Sequence, residues 1–158
     1  TVMVIELMDP HDPRVAAALS VYMTEVLSVC GMNGVSLTDA VNDVADYRPP
    51  AGAFLAVREG RQVVGCAGIR RLDEATGELK RMWVSPSVRG QGLGARLLQA
   101  VEQQALAKGL HTLRLDTHDG LTAAMRLYTS HGYEVIDDYN GNPDATHFFE
   151  KRLRTIQG

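Results

Sequence analysis

The sequence predicts an α+β domain on a mixed sheet, with elements in the order βααβββαβαββ, and three observations predict it. Residues 51–84 alternate short apolar β segments with turn signals at Glu59-Gly60 and around Glu74 to Gly77, the texture of an antiparallel meander. Residues 92–108 then carry Leu93, Leu97, Leu98, Val101 and Ala105 at helical spacing, closed by Gly109. A strand follows at residues 111–116, and a β-helix-β crossover sets its two strands parallel, so the sheet is mixed.

The remaining elements follow from local pattern. Residues 2–7 alternate as a first strand and end in the turn-rich DPHDP. Val15, Ala18, Leu19, Tyr22 and Val26 mark the core face of a helix that stops near Cys30-Gly31. A shorter helix is expected over residues 38–46, with Asp39, Asp43 and Asp46 on one side and Pro49-Pro50 ending it. The meander strands are residues 51–57, 62–70 and 78–84. After the crossover come a helix over 121–130, a strand over 133–136, a polar loop and a last strand over 146–153. Neither a repeat nor a linker interrupts this order, so residues 1–158 read as a single domain.

Composition narrows the function. The chain has 158 residues, 45% of them hydrophobic, enough to bury a core without staples. Its apolar runs are far shorter than the ~20 residues of a membrane span, and its first residues carry neither a basic leader nor a long apolar stretch, so no membrane is expected. The net charge of −3 argues against a general nucleic-acid binder, which needs clustered Lys and Arg to neutralise phosphates. Cys30 and Cys66 form no Cys-x-x-Cys or Cys/His cluster. That suits a reducing, cytoplasmic setting and leaves no expected metal site.

The segment that carries chemistry is ELKRMWVSPSVRGQGLGARLLQAV, residues 78–101. A strand enters a loop with glycines at 90, 92 and 94, and a helix begins inside that loop. Glycines let the backbone approach a ligand closely, and the free N–H groups of the first helical turn form an anion site. Lys80, Arg81, Arg89 and Arg96 give residues 79–101 a charge of +4 with no acid among them. A phosphate-bearing ligand would be steered here. No Walker A loop is present. Gly90-Gln-Gly92-Leu-Gly94-Ala95 fits the dinucleotide fingerprint in letters, but SPSVR separates it from the strand and a meander precedes it, which leaves an NAD-binding oxidoreductase a distant rival.

Arg89-Gly-Gln-Gly92-Leu-Gly94-Ala resembles the Arg/Gln-x-x-Gly-x-Gly/Ala motif of the GNAT superfamily of N-acetyltransferases. ELKRMWVSP resembles that superfamily's cofactor strand, and Ala124-Met-Arg-Leu127-Tyr128-Thr-Ser-His-Gly132-Tyr133 resembles its Ala-x-x-Leu-Tyr-x-x-x-Gly-Phe/Tyr helix. The likeness covers roughly residues 50–153, and the first 50 match in topology only. Many members have Asn where this chain has Leu121, so no polar cofactor contact is expected there.

The resemblance implies acetyl-CoA as cofactor, with CoA as product, bound by Met82, Trp83, Val84, Arg89, Gly90, Gln91, Gly92, Leu93, Gly94 and Ala95. The reaction it implies is attack of a neutral primary amine on the thioester in a ternary complex. Tyr128 would protonate the departing thiolate. Glu78, eleven residues before Arg89, would be the base, working through water; otherwise it is a solvated strand-end charge. The oxyanion donor would be a backbone N–H at Val84 or nearby, with Met82 to Val84 pairing with pantetheine amides as an added strand. Strand alternation puts Glu78, Lys80, Met82 and Val84 on one face and Leu79, Arg81 and Trp83 on the other. His118 is a reserve base.

The acceptor, a small-molecule or peptide amine, would lie between residues 25–46 and 137–147. There Asp39, Asp43 and Asp46, with Asp137 and Asp138 opposite, would attract a cation, and Tyr139 would add contacts. A homodimer through the last strands is also implied. The alternative is an acyl-CoA-binding sensor or interaction module without turnover.

Overall fold

The computed structural model describes residues 2–30 and 44–154. Its strands are β1 (Met3–Leu7), β2 (Gly52–Glu59), β3 (Gln62–Arg71), β4 (Thr76–Val84), β5 (Thr112–Thr117), β6 (Glu134–Ile136) and β7 (His147–Arg152). Its helices are α1 (Pro13–Cys30), α2 (Leu93–Ala107) and α3 (Thr122–Ser130). All seven strands form one sheet in the order β1-β2-β3-β4-β5-β7-β6. β4 and β5 are the parallel pair and every other pairing is antiparallel, as the crossover around α2 requires. The helix expected over 38–46 lies mostly outside the described residues, and its described end, Ala45–Tyr47, is a 3₁₀ turn.

Alternation along the strands divides the core between two faces of the sheet. Leu55, Val57, Ile69 and Leu79 pack with Leu93, Leu97, Leu98 and Val101 of α2 and with Tyr128 of α3. Phe54, Ala56 and Cys66 pack on the other face with Val15, Ala18 and Leu19 of α1. Asp12 fixes where α1 starts: its carboxylate accepts from the Arg14 N–H at 2.9 Å, with Pro13 as first helical residue.

Two departures from regular sheet geometry position the site. The β4–β5 register stops at Glu78↔Arg114, although β4 continues to Val84 and β5 to Thr117, so the strands part and leave an open edge on β4 from residue 79 onward. In β4, Arg81 and Met82 together oppose Ala67, because the register runs Cys66↔Trp83 and then Gly68↔Lys80. This is a β-bulge, with Arg81 in the left-handed region at φ 54°.

The bulge corrects the expected alternation. Met82 and Val84 pack with Leu79 on the α2 face, whereas Trp83 joins the α1 face. An extra residue shifts the two-residue period by one, so every side chain beyond it changes face.

Candidate active site

Two cavities meet where β4 and β5 part. The larger, about 490 Å³, is lined by Met82, Trp83 and Val84, by Arg89, Gly90 and Gly92 through Ala95, by the first turn of α3 and by Glu25 of α1. The smaller, about 380 Å³, is lined by Lys80, Arg81, Asp116, His118, Tyr128, Asp46 and Asp144, among others. Tyr22, Val26, Met82, Leu121 and Ala124 line both.

The loop of the larger cavity is built for an anion. Gly90 (φ 82°) and Gly92 (φ 72°) take left-handed conformations that other L residues resist, and Gly92 is the N-cap of α2. No side chain caps that helix end, so its first amides stay free with the positive end of the helix dipole behind them. Leu121 likewise caps α3 with no side-chain hydrogen bond, and Thr122 to Ala124 line the same wall. Arg89 donates from Nε to the Val84 carbonyl at 2.9 Å and from its terminal nitrogen to Glu25. Of the expected cofactor residues, Gln91 lies outside the cavity lining and the Leu93 side chain is buried in the core, leaving its backbone for a ligand.

Tyr128 lines the smaller cavity and is held edge-on by Tyr133 (5.7 Å between centroids) and tilted against Phe149 (6.3 Å). Burial, with lesser contributions from Tyr22 and Asp116, holds its hydroxyl well above the ordinary phenol range, so it is protonated at neutral pH. No group among the described residues takes a hydrogen bond from it.

Glu78 is neither a solvated strand-end charge nor open to either cavity. Its side chain is 0% exposed. One oxygen accepts from Arg70 Nε at 2.7 Å, and the other from the Tyr139 hydroxyl at 2.6 Å and Asn140 Nδ2 at 3.2 Å. Tyr139, expected against the acceptor, is turned to this carboxylate, and burial followed by that bond raises its pKa. Among the carboxylates that do line the smaller cavity is Asp116, 10% exposed, with Lys80 Nζ at 2.8 Å and Asn142 Nδ2 at 3.2 Å.

His118 accepts the Gly120 N–H on Nδ1 at 2.9 Å, which puts the proton of the neutral ring on Nε2. A base at Nε2 would need the other tautomer. Asp39 and Asp43 lie outside the described residues. Asp46 lines the smaller cavity, 3.7 Å from Arg70, whereas Asp138 is a loop former that accepts from the Asn140 and Gly141 amides, and neither it nor Asp137 lines either of these two cavities. The acids of the cavity are therefore Asp46, Asp116 and Asp144. Burial pushes the Cys66 thiol up to about 12, which suits a core residue and not a nucleophile.

Helical spacing marks Tyr22 as a plain core-face position, and no sequence motif gives a role to Glu25, Arg70 or Tyr47. Spacing places Tyr22 inward, but nothing local says that an inward side chain ends in a cavity.

The Acetyltransferase (GNAT) family profile matches residues 21–133. The chain is similar to an uncharacterised N-acetyltransferase of Escherichia coli, 36% identical over 108 residues, which is 65% of this chain and 68% of that one. A crystal structure from Klebsiella pneumoniae, designated an acyl-CoA N-acyltransferase, has a TM-score of 0.75 at 31% identity and covers 96% of this chain and 98% of its own. A Salmonella typhimurium structure with acetyl-CoA bound has a TM-score of 0.74 at 22% identity, covering 100% of this chain and 98% of its own, and is similar in fold.

Proposed function

Because this chain belongs to the Acetyltransferase (GNAT) family, we propose that it moves an acetyl group from acetyl-CoA to a primary amine by direct attack within a ternary complex. The observation that carries this reading is the gap between β4 and β5: a phosphate-ready loop opens on one side of it, a charged cavity on the other, and Tyr128 stands beside their junction.

The residues of the larger cavity fit a CoA thioester. Free amides at Gly92 to Ala95, together with Arg89, suit its pyrophosphate, and the open edge of β4 suits its pantetheine amides. The thioester then reaches the junction at Met82. The smaller cavity takes the amine, which Asp116 and Asp46 attract as a cation and which loses its proton to cavity water before attack. Attack forms the N–C bond and places a negative charge on the carbonyl oxygen. Collapse breaks the C–S bond, and Tyr128 protonates the thiolate. Glu78 has a positioning part: it ties the 139–140 loop segment to β4.

Two cysteines without a metal or disulfide pattern favour a cytoplasmic setting, and among the described residues no helix is long and apolar enough to cross a membrane.

The test is thermal unfolding with acetyl-CoA, CoA and NAD in parallel, followed by an amine panel. A ligand at 100 times its dissociation constant that binds only the folded chain adds ~2.7 kcal/mol. Acetyl-CoA and CoA are expected to raise the midpoint and NAD to leave it. A shift with NAD alone would overturn the reading.

A further inference from the structure

Five residues line both cavities, and Tyr22 is the one among them whose side chain can form a strong hydrogen bond; Val26, Met82, Leu121 and Ala124 cannot. We propose that Tyr22 is a second catalytic phenol, whose hydroxyl donates a hydrogen bond to the acetyl carbonyl oxygen as negative charge develops there. This inference rests on the acetyl-transfer reading and adds to it a residue from α1, outside the loop and helix motifs of residues 78–133.

Position supports it first. α1 brings Tyr22 against the junction because Val15, Leu19, Met23 and Val26 bury the same helix against the sheet. The ring packs beside the α1-face core, and the residue lines both cavities, between which the thioester must meet the amine. Hydrogen-bond accounting supports it second: no group among the described residues pairs with this hydroxyl, although the polar groups around it are paired with one another. A half-buried hydroxyl without a partner among the described residues is available to a ligand.

Electrostatics supports it third. Burial raises the phenol well above its ordinary value, so it remains a donor at neutral pH, and Arg81, Cys66, Asp116 and Tyr47 lie close enough to perturb it. Tyr22 and Tyr128 line the same smaller cavity, and Tyr22 adds to the upward shift of Tyr128.

The chemistry balances with Tyr22 as donor only. Attack by the neutral amine moves the carbonyl π electrons onto oxygen, where the Tyr22 hydroxyl hydrogen-bonds the oxyanion and keeps its proton. When the carbonyl re-forms, the C–S bond breaks, the thiolate takes the Tyr128 proton, and the tyrosinate recovers one from the acetylated nitrogen through water.

The experiment is steady-state release of the CoA thiol from acetyl-CoA with the best amine of a panel, for wild type, Tyr22→Phe, Tyr128→Phe and the double variant. Phenylalanine keeps the ring and removes the donor. Tyr22→Phe is expected to lower kcat roughly ten- to a hundredfold, the worth of a hydrogen bond to a charged oxygen. Its KM for acetyl-CoA and its Tm should stay near wild type, and the double variant should be slower than either single one. A kcat within twofold of wild type overturns the inference, and so does a loss that appears only as weaker acetyl-CoA binding with a lower Tm. An active wild type beside an unaffected Tyr22→Phe fails this inference alone. A wild type that releases no thiol with any amine fails the acetyl-transfer reading, and this one with it.

Discussion

Glu25 of α1 and Arg89 of the glycine loop form an ion pair within the larger cavity, 64 positions apart in sequence. Arg89 is the side chain best placed to meet a pyrophosphate, and Glu25 both occupies it and adds the one carboxylate among the described residues that line this cavity. Removing that charge frees the guanidinium and lowers the repulsion of an anionic ligand. Glu25→Gln is expected to tighten CoA binding several-fold at low salt, with the gain shrinking as ionic strength rises. Calorimetric titration at two salt concentrations reads this, and weaker binding would show that the pair instead shapes the site.

Tyr128→Phe removes the proposed acid while keeping the ring that packs on Tyr133 and Phe149. Turnover is expected to fall roughly a hundredfold or more with acetyl-CoA affinity retained, the scale of losing a general acid. Unchanged turnover would leave protonation of the thiolate to water.

Gly92 sits at φ 72° with open space where a Cβ would project. Gly92→Ala therefore costs conformation and not a clash, about 1–2 kcal/mol for a left-handed non-glycine residue. Since that conformation aims the first amides of α2, CoA affinity should fall about tenfold while urea unfolding shows only that modest loss. Retained affinity would mean the amides are not the anion site.

Glu78→Gln separates a structural carboxylate from a base. The buried charge is matched by Arg70 Nε at 2.7 Å, and Arg70 is itself partly exposed, so a loss of about 1–3 kcal/mol in urea unfolding is expected. Turnover should stay within a few-fold, and the acid limb of its pH profile should not move. A collapse of turnover at unchanged stability would return Glu78 to the base role.

Asp12 caps α1, and its bonds to the Arg14 side chain and backbone draw its pKa down to about 2. A carboxylate depressed in the folded state contributes stability above its unfolded value of about 3.9, and that contribution is lost as pH falls from there through about 2. The Tm gap between wild type and Asp12→Ala should be full at pH 6 and close between about pH 4 and pH 2. A gap that persists at pH 2 would assign the effect to helix propensity.

Local repetition and spacing make much of the molecule legible. The two-residue alternation of the meander, the helical spacing of Leu93, Leu97, Leu98 and Val101, and the glycines at 90 and 92 each act within a few residues. For that reason the order of the described elements, the parallel β4–β5 crossover and the glycine loop can be read directly, while the motif around Tyr128 is read from its resemblance to the family's. The exception is β4, where a one-residue bulge turns Met82 and Val84 to the face opposite the one that alternation gives. The cost of a left-handed Arg81 is met by Tyr47, which accepts from its guanidinium and stacks beneath it at 5.1 Å, a partner 34 positions away.

The order of most elements and the glycine loop are written in short-range periodicity and spacing, and the family in short motifs that resemble those of its members. Tertiary structure alone decided which side chains share a cavity. Glu78 reads as a base or as a solvated strand-end charge, and only folding shows that Tyr139 and Asn140, 61 and 62 positions away, close over it. Tyr22 is one more core residue of a helix until the fold brings α1 against the sheet and makes Tyr22 part of the lining of both cavities. Such meetings depend on chain folding over long separations, and no local pattern encodes them.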